Sequence, residues 1–104
     1  MTLPLVLAPA AEDDLEDAAD FFEMQQFGLG EAFLRAVDAG FARIQRYPEA
    51  FSDDELGIRT ALLHRFPYGV HFRIRDERIE IIAVWHERRE PAGWIERLDS
   101  GASD

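Results

Sequence analysis

A chain of 104 residues that is 47% hydrophobic suits one domain with one modest core, and it is too apolar to remain unfolded. The absence of cysteine excludes disulfides and thiolate metal sites and is compatible with a reducing compartment. A net charge of −10 argues against non-specific nucleic-acid binding, because neutralising phosphates supplies most of that affinity.

The charge is unevenly placed. Residues 1–57 carry three arginines against thirteen acids, whereas residues 58–97 carry eight arginines against six acids, and there is no lysine. A local arginine face in the second half can still hold a phosphate or an acidic partner.

Residues 3–8 read as a short strand, with Pro4 favouring an edge or a strand start. No Lys or Arg precedes Arg35, so this apolar opening lacks the positive flank of a secretory signal, and a cytoplasmic protein is expected. Every apolar run is far shorter than the ~20 residues needed to span a bilayer, so no membrane role is expected. Pro9 suits a first helical turn, and Glu12, Asp13 and Asp14 favour its positive end. Ala11, Leu15, Ala18, Ala19 and Phe22 then recur at helical spacing, which predicts a helix over 9–26. Gly28 and Gly30 mark a turn. Leu29, Phe33, Val37, Phe41 and Ile44 form a second stripe that ends at Tyr47-Pro48, completing an αα-hairpin.

Residues 49–57 are polar and aperiodic, which predicts a loop. Residues 58–66 read as a strand, broken at Pro67. In the next strand Tyr68, Val70, Phe72 and Ile74 share one face, and His71 and Arg73 take the other. After a turn at 75–77, residues 78–86 become apolar on both faces, as a covered central strand does. Strict alternation places Phe72, Ile74, Ile81 and Ala83 under the helices. The first strand is expected to pair beside this central one. A short helix near 91–98 follows, with Trp94 and Leu98 inward. The result is an α+β fold of order β-α-α-β-β-β, with a helical hairpin on one face of a mostly antiparallel four-stranded sheet. One domain is expected over 1–98, with 99–104 as a disordered tail.

Several residues are candidates for chemistry. His86, at the end of the last strand, can exchange a proton near neutral pH, or it can be a strand-end histidine satisfied by backbone. His71 with Arg73 can form a phosphate patch or simply a solvated sheet face. Arg88 and Arg89 can clamp a carboxylate or phosphate, or pair with Glu87 and Glu90. Three histidines on separate segments lack metal-ligand spacing, and no phosphate loop or nucleophile elbow is present, so neither metal nor cofactor is expected. Phe21, Met24 and Phe27 cannot all share the face of Phe22. They mark either a partner surface or a wide face buried under the loop at 49–57.

Four stretches carry a resemblance: residues 10–25, residues 30–51, the run from Arg59 through Phe66-Pro67-Tyr68 to Ile74, and residues 78–94 with Ala83-Val84, His86, Arg88-Arg89, Pro91 and Trp94. In this order and spacing they resemble the RelE/ParE superfamily of toxins from bacterial toxin–antitoxin, or plasmid-stabilisation, systems. The resemblance implies the same β-α-α-β-β-β fold. The stretch from His86 to Pro91 is similar to the ParE-like branch, whose members poison DNA gyrase, whereas RelE-like members cut messenger RNA on the ribosome. A ParE-like reading implies a binding protein and no chemistry, with His71, Arg73, His86, Arg88 and Arg89 facing the target. An endoribonuclease would use His86 as general acid with Arg73 and Arg65 as charge stabilisers. An inactive relative would retain antitoxin binding only. In each case the resemblance implies a cognate antitoxin from an adjacent gene, docked on Phe21, Met24 and Phe27, with Asp14, Asp17 and Asp20 as peripheral charge. The acidic balance departs from the superfamily's neutral-to-basic habit and counts more against RNA than against gyrase.

Overall fold

The computed structural model describes residues 2–101, with side chains through Leu98. Its elements are β1 (Leu5–Leu7), α1 (Pro9–Gln25), α2 (Leu29–Arg46), β2 (Arg59–Leu62), β3 (Tyr68–Arg75), β4 (Arg78–His86) and α3 (Ala92–Gly101), with a 3₁₀ turn at Pro48–Ala50. The sheet order is β1-β4-β3-β2. β1 runs parallel to β4 and the other pairs are antiparallel. β4 is therefore central and flanked by β1, as its two-sided apolar pattern requires. α3 runs through Gly101, past the expected end at 98, and residues 102–104 of the expected tail lie outside the described residues.

The α1–α2 link is short because Gly28 adopts a left-handed conformation (φ 86°) that few other residues tolerate. Glu23, on the last turn of α1, accepts hydrogen bonds from the Gly28 and Gly30 amides (both 3.0 Å) and so satisfies the start of α2, which has no side-chain cap of its own. Gly30 allows a close helix crossing: a Cβ there would sit 2.7 Å from the Ala19 carbonyl oxygen.

The hairpin covers one sheet face. Phe33, Val37 and Ile44 of α2 are buried with Val70, Phe72, Ile79, Ile81 and Val84 of the sheet. Each such side chain contributes about 1.5–3 kcal/mol by leaving water. Phe22, Phe33, Phe66 and Tyr68 form an aromatic cluster with contacting centroids 5.0–5.9 Å apart, edge-to-face except for the tilted Phe22–Phe33 pair. The second face has its own smaller core, in which α3 sets Trp94 over Ile58, Ile82, Ala83 and Trp85.

The register is regular until His71, which pairs with Ala83, while Phe72 pairs with Ile81. Ile82 is the extra residue of a β-bulge, and it shifts the side-chain phase of β4 by one. Phe72 and Ile81 lie under the hairpin as expected, and Ile74 is half-buried. Ala83 does not: it belongs to the α3 face, because the bulge reverses the alternation that placed it under the helices.

Candidate functional site

β4 ends at His86 and the chain turns at once. The Glu87 amide donates to the Pro67 carbonyl (2.8 Å), and the Arg89 amide donates to the His86 carbonyl (3.1 Å). His86 Nδ1 accepts the Arg88 amide at 3.0 Å, so one ring nitrogen is used in holding the turn. Its ring meets the edge of Tyr68 at 5.2 Å, and Tyr68 is its partner in the ladder. Arg89 folds back with its guanidinium 3.9 Å from the Trp85 ring, a cation–π contact that fixes its direction. Arg88 and Glu87 are exposed. The run from Trp85 to Pro91 is thus a built turn, further anchored by the Trp85 indole N–H on the Glu90 carbonyl (3.2 Å).

Two grooves open beside this turn, one on each side of the sheet. One of about 210 Å³ lies between α1 and the strand ends, lined by Asp17, Phe21, Tyr68, His86 and Arg89 among others. Burial raises the Tyr68 phenol above its ordinary value, while nearby Arg89 acts in the opposite direction. The other, of about 240 Å³, lies on the α3 side between Trp94, His71, Leu62 and the same His86 and Arg89.

The structure does not bring the ribonuclease candidates together. His86 sits opposite Tyr68, whereas Arg73 sits opposite Glu80, five residues further along β3 or roughly 17 Å at strand rise. Arg73 lies on the opposite sheet face and is held by Glu80 (2.6 Å). Arg65 occupies a left-handed loop position beside Phe66. His71 is not an open patch residue either. Its ring stacks on Trp94 at 4.1 Å and 14°, its Nδ1 meets the Thr60 hydroxyl at 2.8 Å, and burial lowers its pKa to about 4. α3 covers the face that strand alternation alone leaves solvated.

The expected antitoxin residues divide. Phe21 is 54% exposed, Met24 88% and Phe27 94%, so all three stand clear of the core and of the loop at 49–57. Asp17 and Asp20 are exposed beside them. Asp14 is different: its carboxylate takes both terminal nitrogens of Arg97 (2.8 and 2.9 Å) and the Val84 amide (3.0 Å). This bond raises the Arg97 pKa further and clasps α3 to α1 across the end of β1. Asp14 is an internal clasp, not a peripheral charge. Nothing local in the sequence signals a pairing across 83 positions. Trp85, the platform for Arg89, was legible only as a core residue.

The model of the family described as "ParE toxin of type II toxin-antitoxin system, parDE" matches residues 5–91. Toxin ParE2 of Mycobacterium tuberculosis, from two strains, is 33% identical over 92 residues, covering 88% of each chain. Among solved structures, a chain of the chromosomal ParDE system of P. aeruginosa superposes with a TM-score of 0.71 at 20% identity, over 82% of this chain and 96% of that one. A chain of the toxin–antitoxin complex RelBE2 of M. tuberculosis gives 0.57 at 21% identity, over 83% and 99%. The fold, the match across the signature turn and the relatives agree: the chain belongs to the ParE toxin family of type II toxin–antitoxin systems.

Proposed function

We propose that this toxin arrests growth by binding DNA gyrase in the cytoplasm, without catalysing a reaction, and that a cognate antitoxin from an adjacent gene neutralises it. One observation carries the reading: the apolar ridge of α1 and the signature turn share a groove, with Phe21 on one wall and His86 and Arg89 on the other. Phe21, Met24 and Phe27 are anchors that the isolated chain leaves in water. Asp17 and Asp20 lie nearest to them and Glu12, Asp13 and Glu16 extend the negative charge along α1, which selects a basic, initially disordered segment that folds as it docks. The scatter of His86, Arg73 and Arg65 over two faces supports binding in preference to RNA cleavage.

The test has two arms. Calorimetric titration with the adjacent gene's product should show Phe21→Ala weakening the complex by about 2 kcal/mol or more and Asp17→Ala by well under 1, with both variants folded. The free toxin should inhibit gyrase supercoiling, and Arg88→Ala should relieve that inhibition while leaving antitoxin affinity close to wild type. Codon-dependent cuts in ribosome-bound mRNA that disappear with His86→Ala would overturn the reading.

A further inference from the structure

A groove of about 740 Å³ lies away from the signature turn, between α3, the start of α1 and the β3–β4 hairpin. That volume is within the roughly 300–1,000 Å³ typical of small-molecule sites. Ala8, Pro9, Ile82 and Leu98 give it apolar walls.

Its arginines are unusual for so acidic a chain. Arg73 and Arg75 stand two residues apart on β3, and Arg75 faces Arg78 directly in the ladder. Like charges placed opposite one another destabilise a strand pair, and although Asp76 and Glu77 lie in the turn between them, neither arginine forms an ion pair among the described residues. Neither Arg75 nor Arg78 has an ion-pair or hydrogen-bond partner among the described residues. Arg73 is oriented by Glu80 through Nε alone, which leaves both its terminal nitrogens without a protein partner among those residues. The other carboxylates lining the groove, Asp76 and Glu96, are both exposed and make no ion pair among the described residues. Three arginines with unpaired donors among the described residues therefore line one groove on one sheet face, and guanidinium forks suit phosphate oxygens.

We infer that this groove binds a small phosphorylated ligand of nucleoside-diphosphate size, with its phosphates held by Arg73, Arg75 and Arg78 and its less polar body against Pro9, Ile82 and Leu98. The net charge of −10 repels a long polyanion, so the site suits a free small molecule and not a nucleic-acid strand. The site is separate from the gyrase and antitoxin reading and does not depend on it.

The experiment is isothermal titration of the purified toxin at low ionic strength with ADP, with inorganic pyrophosphate and with a short single-stranded oligonucleotide. ADP should bind more tightly than pyrophosphate, and both more tightly than the oligonucleotide per site. The Arg75→Ala/Arg78→Ala double variant should lose at least tenfold in ADP affinity. It should also melt no lower than wild type, because it relieves a repulsion, and Phe21→Ala should bind ADP unchanged. Absence of heat with ADP and pyrophosphate at millimolar concentration would overturn the inference, as would binding that survives the double substitution or prefers the oligonucleotide.

Discussion

Asp14 and Asp17 are three residues apart on one helix, yet the fold gives them different work. Asp14 accepts from Arg97 and from the Val84 amide with a side chain only 10% exposed, while Asp17 is exposed at the rim of the groove beside His86. Charged hydrogen bonds of this kind contribute about 1.5–3 kcal/mol, and an orphaned partner adds to the loss. Asp14→Ala should therefore lower unfolding free energy by about 3 kcal/mol in urea, and Asp17→Ala should stay within about 0.5 kcal/mol of wild type. His71 makes a second prediction. Burial holds its folded-state pKa at about 4, below the ordinary 6.5, so the folded form disfavours the proton. Between those values the unfolded chain binds more protons, so the stability owed to a neutral His71 is complete above pH 6.5 and drains away as pH falls toward 4. Melting temperatures of His71→Gln should fall less steeply than those of wild type across that window.

At the scale of elements, most of the fold was legible. Helical spacing predicted α1 and α2 within a residue or two, and the two-sided apolar run of residues 78–86 correctly made β4 central with β1 beside it. What escaped was the bulge at Ile82, since no Gly or Pro marks it and a single extra residue reverses every later face, Ala83 included. The candidate site was legible in part for the same kind of reason. Counting apolar residues against one helix face showed that Phe21, Met24 and Phe27 cannot all share it but left burial under the loop at 49–57 open, which the structure decides in favour of exposure, whereas the covering of His71 depends on where α3 lands, which local pattern does not encode. Helix contact supplies the element-scale prediction. At Gly30 a methyl group would meet backbone, which cannot rotate away, so Gly30→Ala should cost about 1–3 kcal/mol despite its better helix propensity. Chemical denaturation would measure it, and an unchanged midpoint would show that the hairpin can spread.

The whole molecule carries −10, with its acids concentrated in the helical hairpin half. Self-repulsion of this size destabilises the compact state and is screened by salt. The free toxin should melt at higher temperature as sodium chloride rises from 20 to about 300 mM, a range that shortens the Debye length severalfold. Association with a basic antitoxin should respond the opposite way, its on-rate falling over the same range as steering is lost. Fluorescence of Trp85 and Trp94 can follow both, in a thermal ramp for melting and in stopped-flow mixing for association. A salt-independent on-rate would show that the apolar ridge alone governs recognition.

The clasp between Asp14 and Arg97 joins positions 83 residues apart, and the parallel pairing of β1 with β4, beginning at Leu5 and Ile79, spans nearly as far. Contacts of such long range close late in folding. On the ribosome, the strand pairing cannot form until residues 79–81 have emerged, nor the clasp until Arg97 has, so synthesis itself imposes a delay before the first strand has a neighbour. During that interval the hairpin of α1 and α2, built from local contacts, is the part already able to take shape. It also carries the ridge proposed for the antitoxin. A resident antitoxin can therefore engage a nascent toxin before its sheet is finished, and capture would begin during translation. Ribosome-bound chains stalled so that residues 1–60 have cleared the exit tunnel should already bind antitoxin while remaining sensitive to protease, and failure of those chains to bind would place capture after folding.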